Sequence, residues 1–197
     1  MLKRKDLQII ANVIDPQSKV LDLGCGDGQL LNELINNKDI LGFGIEISLT
    51  RIKKCLEKGI SVVQEDLNEG LKEFQRNSFD YVILSQTLEY ISKPLYLIQE
   101  MLRVGNKCII SFENMAYWKK RFNFFLFGSL EKRSKSKGTL LDGKKQLFLS
   151  VKEFLRLSNY YNLHICKKLH VPNKRMILSR IFPNLFSKVA IFVIKSK

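Results

Sequence analysis

The sequence predicts an α/β fold, a doubly wound, mostly parallel sheet of seven strands with helices on both faces. Three observations carry that prediction. The run VLDL (20–23) ends in a glycine cluster and is followed by a helix-period segment, which is how a parallel sheet opens. Short apolar runs and helix-period segments then keep alternating along the chain. Near the end, KVAIFVIK (188–195) is an almost unbroken apolar run, as expected of a strand covered on both faces.

Residues 4–14 place Leu7, Ile10, Ala11 and Ile14 at helical spacing, and Pro16 ends that helix. VLDL is the first strand and QLLNELINN (29–37) the helix after it. ILGFGI (40–45) is the second strand. LTRIKKCLEKG (49–59) is a helix expected to turn Leu49, Ile52 and Leu56 inward, with Gly59 at its C-terminal end. SVVQ (61–64) and FDYVILS (79–85) are the third and fourth strands. PLYLIQEMLRV (94–104) is a helix opened by proline, where the missing amide proton costs nothing, and KCIISF (107–112) is the fifth strand. WKKRFNFFLFG (118–128) reads as an aromatic-rich helix, and the lysine-rich, glycine-punctuated stretch 129–146 as a mobile loop. VKEFLRLSNYY (151–161) is a helix between that loop and the last two strands, LHICKKLHV (163–171) and KVAIFVIK.

At 197 residues with 45% hydrophobic content, the chain fits one globular domain over 1–197. It divides by charge. Residues 1–111 carry 14 Lys/Arg and 15 Asp/Glu, whereas 112–197 carry 19 and 4, so the net charge of +14 belongs to the second half. The domain is accordingly read as a neutral half over 4–112 and a basic half over 113–197. Cys25, Cys55, Cys108 and Cys166 form no C-x-x-C pair, which points to reduced, mostly buried thiols and to no metal site. The opening MLKRKDLQIIANVID lacks an unbroken apolar stretch and a cleavage signal, so a cytoplasmic location is expected.

The segment Asp22-Leu23-Gly24-Cys25-Gly26-Asp27-Gly28 carries the chemistry. Glycines let the backbone turn sharply and approach a ligand closely, and the helix that follows offers free amide protons. An acid ahead of the glycines repels a pyrophosphate but suits the ammonium of a methionine moiety. Glu46, after the second strand, is placed to accept hydrogen bonds from ribose hydroxyls, and Asp66, after the third, to meet an adenine amine, with Leu67 against the ring. A purely structural glycine turn is the competing reading. Three acids at the ends of three successive strands favour S-adenosylmethionine, or its demethylated product S-adenosylhomocysteine, as the cofactor. Cys25, Ile47 and Ser85 complete the candidate cofactor set.

VLDLGCGDGQLL, GFGIEIS, VVQEDLNEGL, SFDYVILSQTLEY and EMLRVGNKCIISFEN, in that order, resemble the methionine biosynthesis protein MetW family. The resemblance covers residues 4–128 well and 150–197 loosely. It implies a class I methyltransferase fold, Rossmann-like, with an antiparallel last strand. It also implies a role in methionine biosynthesis beside a homoserine O-acyltransferase partner. The chain departs from the family pattern at Glu113 and Tyr117, where Pro and His are usual, around a retained Asn114 and Trp118. It departs again over 129–149, where only Asp142 matches.

Gln86, Asn114, Tyr117 and Trp118 are the candidate substrate or partner residues. No histidine falls near the expected pocket mouth, and neither these residues nor Glu89 and Asp142 make a convincing catalytic base. Two functions stay open: a cofactor-binding accessory protein, and a methyltransferase acting on a small molecule. Lys119, Lys120 and Arg121 beside Phe122, Phe124, Phe125 and Phe127 mix charge with aromatics as single-strand binders and membrane-surface helices do. The lysine-heavy, Ile- and Asn-rich composition makes a solvated basic face the better reading, so neither nucleic acid nor a membrane surface is expected as a partner. The aromatic helix and the loop after it are the expected partner surface, against the alternative that Phe122, Phe125 and Leu126 pack on the sheet.

Overall fold

The computed structural model describes residues 2–128, 147–171, 179 and 181–195. Seven strands form one sheet: β1 (Lys19–Leu23), β2 (Leu41–Glu46), β3 (Ser61–Gln64), β4 (Phe79–Ser85), β5 (Gly105–Glu113), β6 (His164–His170) and β7 (Val189–Lys195). Their order is β3-β2-β1-β4-β5-β7-β6. The five strands of the neutral half pair in parallel, and β7 runs antiparallel to both of its neighbours. The basic half therefore supplies two strands of the same sheet.

Among the described residues six longer helices accompany the strands: α1 (Lys5–Val13), α2 (Gln29–Lys38), α3 (Leu49–Leu56), α4 (Pro94–Val104), α5 (Trp118–Phe127) and α6 (Val151–Tyr160). Alternation along each strand sends side chains to opposite faces. Leu21, Val82, Leu84, Phe112 and Phe192 pack with α4 and α6 on one face. Val20, Tyr81, Ile83, Ile109 and Ile191 pack with α1 and α2 on the other. Covering both faces is why these strands read as near-continuous apolar runs. Phe112 of β5, Phe192 of β7 and Phe154 of α6 form one aromatic cluster, with centroids 4.4 to 5.9 Å apart.

Local signals set the helix ends. Ser150 and Glu153 form a reciprocal capping box at the start of α6. The Lys38 ammonium donates to the Ala11 and Ile14 carbonyls, closing the C-terminal end of α1.

The face of α3 differs from expectation. Ile52 and Cys55 are buried, while Leu49 and Leu56 are 60% and 58% exposed. Next to the edge strand β3 the helix buries only a narrow stripe, centred between Ile52 and Cys55, and the two leucines fall on its flanks. One-turn helices at Leu67–Glu69 and Leu88–Tyr90 were not foreseen. Helix α5 has no buried side chain, and Phe122, Phe125 and Leu126 are all exposed rather than packed on the sheet. The expected loop 129–146 and Asp142 lie outside the described residues. Among the described residues no helix is long and apolar enough to cross a membrane.

Candidate functional site

The loop after β1 is tied down from several sides. Gly24 and Cys25 donate their amides to the Ile45 carbonyl at the end of β2, at 2.8 and 3.0 Å. Gly24, Gly26 and Gly28 all take left-handed φ, between +63° and +72°. At Gly26 a Cβ would meet no protein atom within 4 Å, so this glycine faces open space. The second strand crowds the loop from behind, since a Cβ on Gly44 would lie 2.6 Å from Cys25 Sγ. Glycine is required there to let β2 approach.

Glu46 is buried and already occupied. Its Oε2 accepts from the Gly26 amide at 2.9 Å, and its Oε1 accepts from the Ile47 and Ser48 amides at 3.0 Å each. The Arg51 guanidinium lies 3.6 Å from Oε2. The carboxylate therefore fixes the glycine loop and the turn after β2 together.

Asp22 is 3% exposed at the end of β1. Burial pushes its pKa up to about 7, with the Arg4 charge pulling it down and Glu46 pushing it further up. Folding thus favours the neutral acid, so the folded chain holds a proton that the unfolded chain, with its ordinary carboxylate pKa, releases between about pH 4 and 7. Stability from this group is full below the unfolded pKa and is lost as the pH rises through the folded one. Asp22→Asn is expected to match the wild type near pH 4 and to be more stable by a few kcal/mol at pH 8, as read by urea unfolding at both pH values. Equal stabilities at pH 8 would mean that Asp22 is not desolvated.

A cavity of about 520 Å³ lies over the carboxyl ends of β1 and β4, lined by Asp22, Gly24, Cys25, Gly26, Ser85 and Gln86 among others. Gly28 caps α2 behind the loop. Ile47 is exposed, Leu67 lies in the core, and Asp66 caps the one-turn helix at Leu67–Glu69, its Oδ1 accepting from the Asn68 backbone and side-chain amides. Cys25 and Cys55 bring their sulfurs within 4.0 Å, and burial raises both thiol pKa values.

Of the substrate candidates, Gln86 lines this cavity with a left-handed φ of +53°, a strained conformation for a non-glycine at a strand end. Asn114 is fully buried. Its amide donates to the Asn184 and Ser187 carbonyls and its Oδ1 accepts from the Ala116 amide, so it fastens the chain after β5. Tyr117 is buried against a partly exposed Trp118, and Glu89 is buried and accepts from the Glu113 amide.

Sequence reasoning missed Arg4, Thr87 and Tyr90, which also line the cavity. Arg4 reaches Ser85 Oγ at 3.1 Å and pairs with the buried Asp6, which also accepts from Gln86 at 2.8 Å. The signal available was an acid, Asp6, on the buried side of an otherwise apolar helix face.

A sheet in this order, with an antiparallel β7 and an acidic glycine loop after β1, is the class I methyltransferase fold. The structure is similar to an S-adenosylmethionine-dependent methyltransferase from Mesorhizobium loti, with a TM-score of 0.70 and 13% identity over 98% of this chain and 99% of that one. A methyltransferase from Thermotoga maritima gives a TM-score of 0.69 at 16% identity, covering 98% of this chain and 88% of that one. At these identities the likeness is one of fold.

The chain belongs to the family of methionine biosynthesis protein MetW, whose sequence profile it matches over residues 4–194. It is similar to the bifunctional methionine biosynthesis protein MetXA/MetW of Rhodopirellula baltica, 39% identical over 131 residues. That match covers 62% of this chain and 21% of the relative, so the chain spans about a fifth of that protein's length.

Proposed function

We propose that the protein binds S-adenosylmethionine or S-adenosylhomocysteine in the cavity over β1 and β4, and that it serves methionine biosynthesis in the cytoplasm by supporting a homoserine O-acyltransferase. The observation that carries the cofactor reading is the open space in front of Gly26, beside a buried acid with no hydrogen bond among the described residues to offset its burial. A small-residue cradle next to such an acid fits a ligand that brings an ammonium and presses on the loop.

In this reading Asp22 receives the ammonium, and Gly24, Cys25 and Gly26 with Ser85 line the amino-acid portion. Glu46 holds the ribose. A carboxylate offers about four lone-pair sites, and three here already accept backbone amides, so the ribose takes what is left. Ile47, Asp66 and Leu67 stand outside the lining of that cavity, so in this reading the adenine extends past it to Asp66 Oδ2 and the exposed Ile47, with the buried Leu67 behind. The bound cofactor would supply a methyl group on a sulfonium.

Calorimetry is expected to give a micromolar dissociation constant for S-adenosylhomocysteine, about −8 kcal/mol. Glu46→Ala should weaken it by about 1.5–3 kcal/mol, because charge-assisted hydrogen bonds are lost and the loop is untied. Affinity in the wild type should rise as the pH passes about 7 and Asp22 becomes charged, and should stay flat in Asp22→Asn. No heat with either ligand at millimolar concentration removes the proposal.

Two observations support the partner. The Rhodopirellula baltica relative joins MetXA and MetW in one bifunctional protein, and helix α5 presents exposed aromatic side chains of the kind that line interfaces. Co-expression with a homoserine O-acyltransferase should give co-elution on size exclusion and a raised acyltransferase turnover. Separate elution with unchanged turnover would leave the second reading, a methyltransferase acting on a small molecule. That reading has its own support in a second cavity adjoining the first.

A further inference from the structure

The second cavity, of about 550 Å³, shares Arg4 and Gln86 with the first. It sits at the same end of the sheet. β5 ends at Glu113, β7 begins opposite it at Val189, and β6 ends at His170 beside Ala190. The first cavity lies over β1 and β4, so the two are neighbours along one edge of the fold.

The walls of this cavity are of two kinds. Tyr117, Val171 and Val189 form an apolar side, each buried against the protein. Lys5, Lys119 and Lys188 form the other, and they come from three separate places: the first residue of α1, the first turn of α5 and the residue before β7. Among the described residues none of the three has a carboxylate partner. The Lys119 ammonium lies over the Trp118 ring, 5.6 Å from the centroid. The neighbouring Lys120, which is not part of this wall, is neutralised by Glu113 at 2.9 Å. Asp6 is the acid in the lining, and Arg4 and Gln86 already occupy it. The chain thus pairs the cation beside the cavity and leaves the three around it uncompensated.

Like charges converging on a concave, partly apolar surface raise the local concentration of anions. We propose that this cavity binds a small organic anion, a carboxylate or phosphate ester with a short apolar part. Lys5, Lys119 and Lys188 hold its charged end, and Tyr117, Val171 and Val189 cover the apolar part. Its volume is in the range of small-molecule sites. Because Arg4 and Gln86 border both cavities, the anion lies next to the cofactor, a placement that rests on the cofactor reading above although the binding itself does not.

The test is a calorimetric titration of the full chain with phenyl phosphate and with phenylacetate, each repeated in the presence of S-adenosylhomocysteine. Saturable binding of one or both is expected, and the responding probe tells whether phosphate or carboxylate is preferred. The double variant Lys119→Gln, Lys188→Gln should lose at least about tenfold in that affinity and keep the wild-type affinity for S-adenosylhomocysteine, since neither lysine lines the first cavity. No saturable binding of either probe up to about 10 mM, or equal binding by the double variant, overturns the proposal. Probe binding without any S-adenosylhomocysteine binding would sink the cofactor reading alone.

Discussion

Gly26→Val is expected to weaken S-adenosylhomocysteine binding at least about a hundredfold, or roughly 2.7 kcal/mol, while the protein still folds. The position lines the first cavity, and a Cβ built there meets no protein atom within 4 Å, so added bulk goes toward where a ligand would lie. The fold pays a smaller cost. A left-handed φ of +63° strains an L-residue by about 1–2 kcal/mol, a fraction of an ordinary domain's stability. Gly26→Ala separates the two effects, because it carries most of the backbone strain with little bulk and should bind better than the valine variant. Calorimetry paired with a thermal melt reads both. Unaltered affinity in the valine variant would mean that the loop is only a turn.

Phe192→Ala is expected to cost about 3–5 kcal/mol in stability, a large share of the 5–15 kcal/mol typical of a folded chain. Phe192 is fully buried, stacked on Phe112 at 5.9 Å and packed on Phe154 at 4.4 Å. The three rings come from β5, β7 and α6, so the cavity left behind would loosen the junction between the neutral and basic halves. Urea unfolding measures it. A loss below about 1 kcal/mol would show that the site collapses readily around the missing ring.

Much of the architecture was legible in the sequence because strands covered on both faces and helices covered on one leave different periodicities. All seven strands and the six longer helices were anticipated within a few residues, and the acidic glycine loop marked the end of β1. What escaped has physical reasons. The α3 face was misjudged because an edge helix buries a stripe too narrow for leucine spacing alone to locate. The grip of Glu46 on three backbone amides depends on how β2 turns, and no residue type announces it. Asn114 looks like a polar candidate in sequence, yet it is buried and fastened to Asn184 and Ser187, some 70 positions away. Arg4 was invisible for the same reason, since its role arises only when the start of α1 is laid across the ends of β1 and β4.

That placement of Arg4 has a thermodynamic consequence. One guanidinium is a common boundary of two cavities, and it is held by Asp6 and Ser85 rather than by either cavity alone. Any ligand that draws Arg4 toward its own side changes what the neighbouring site offers. Linkage then requires the effect to be mutual: the factor by which one occupant alters the other's affinity is the same in both directions. With both proposed ligands bound, the residues around Arg4 would act as a partition through which the two binding events share a single free energy.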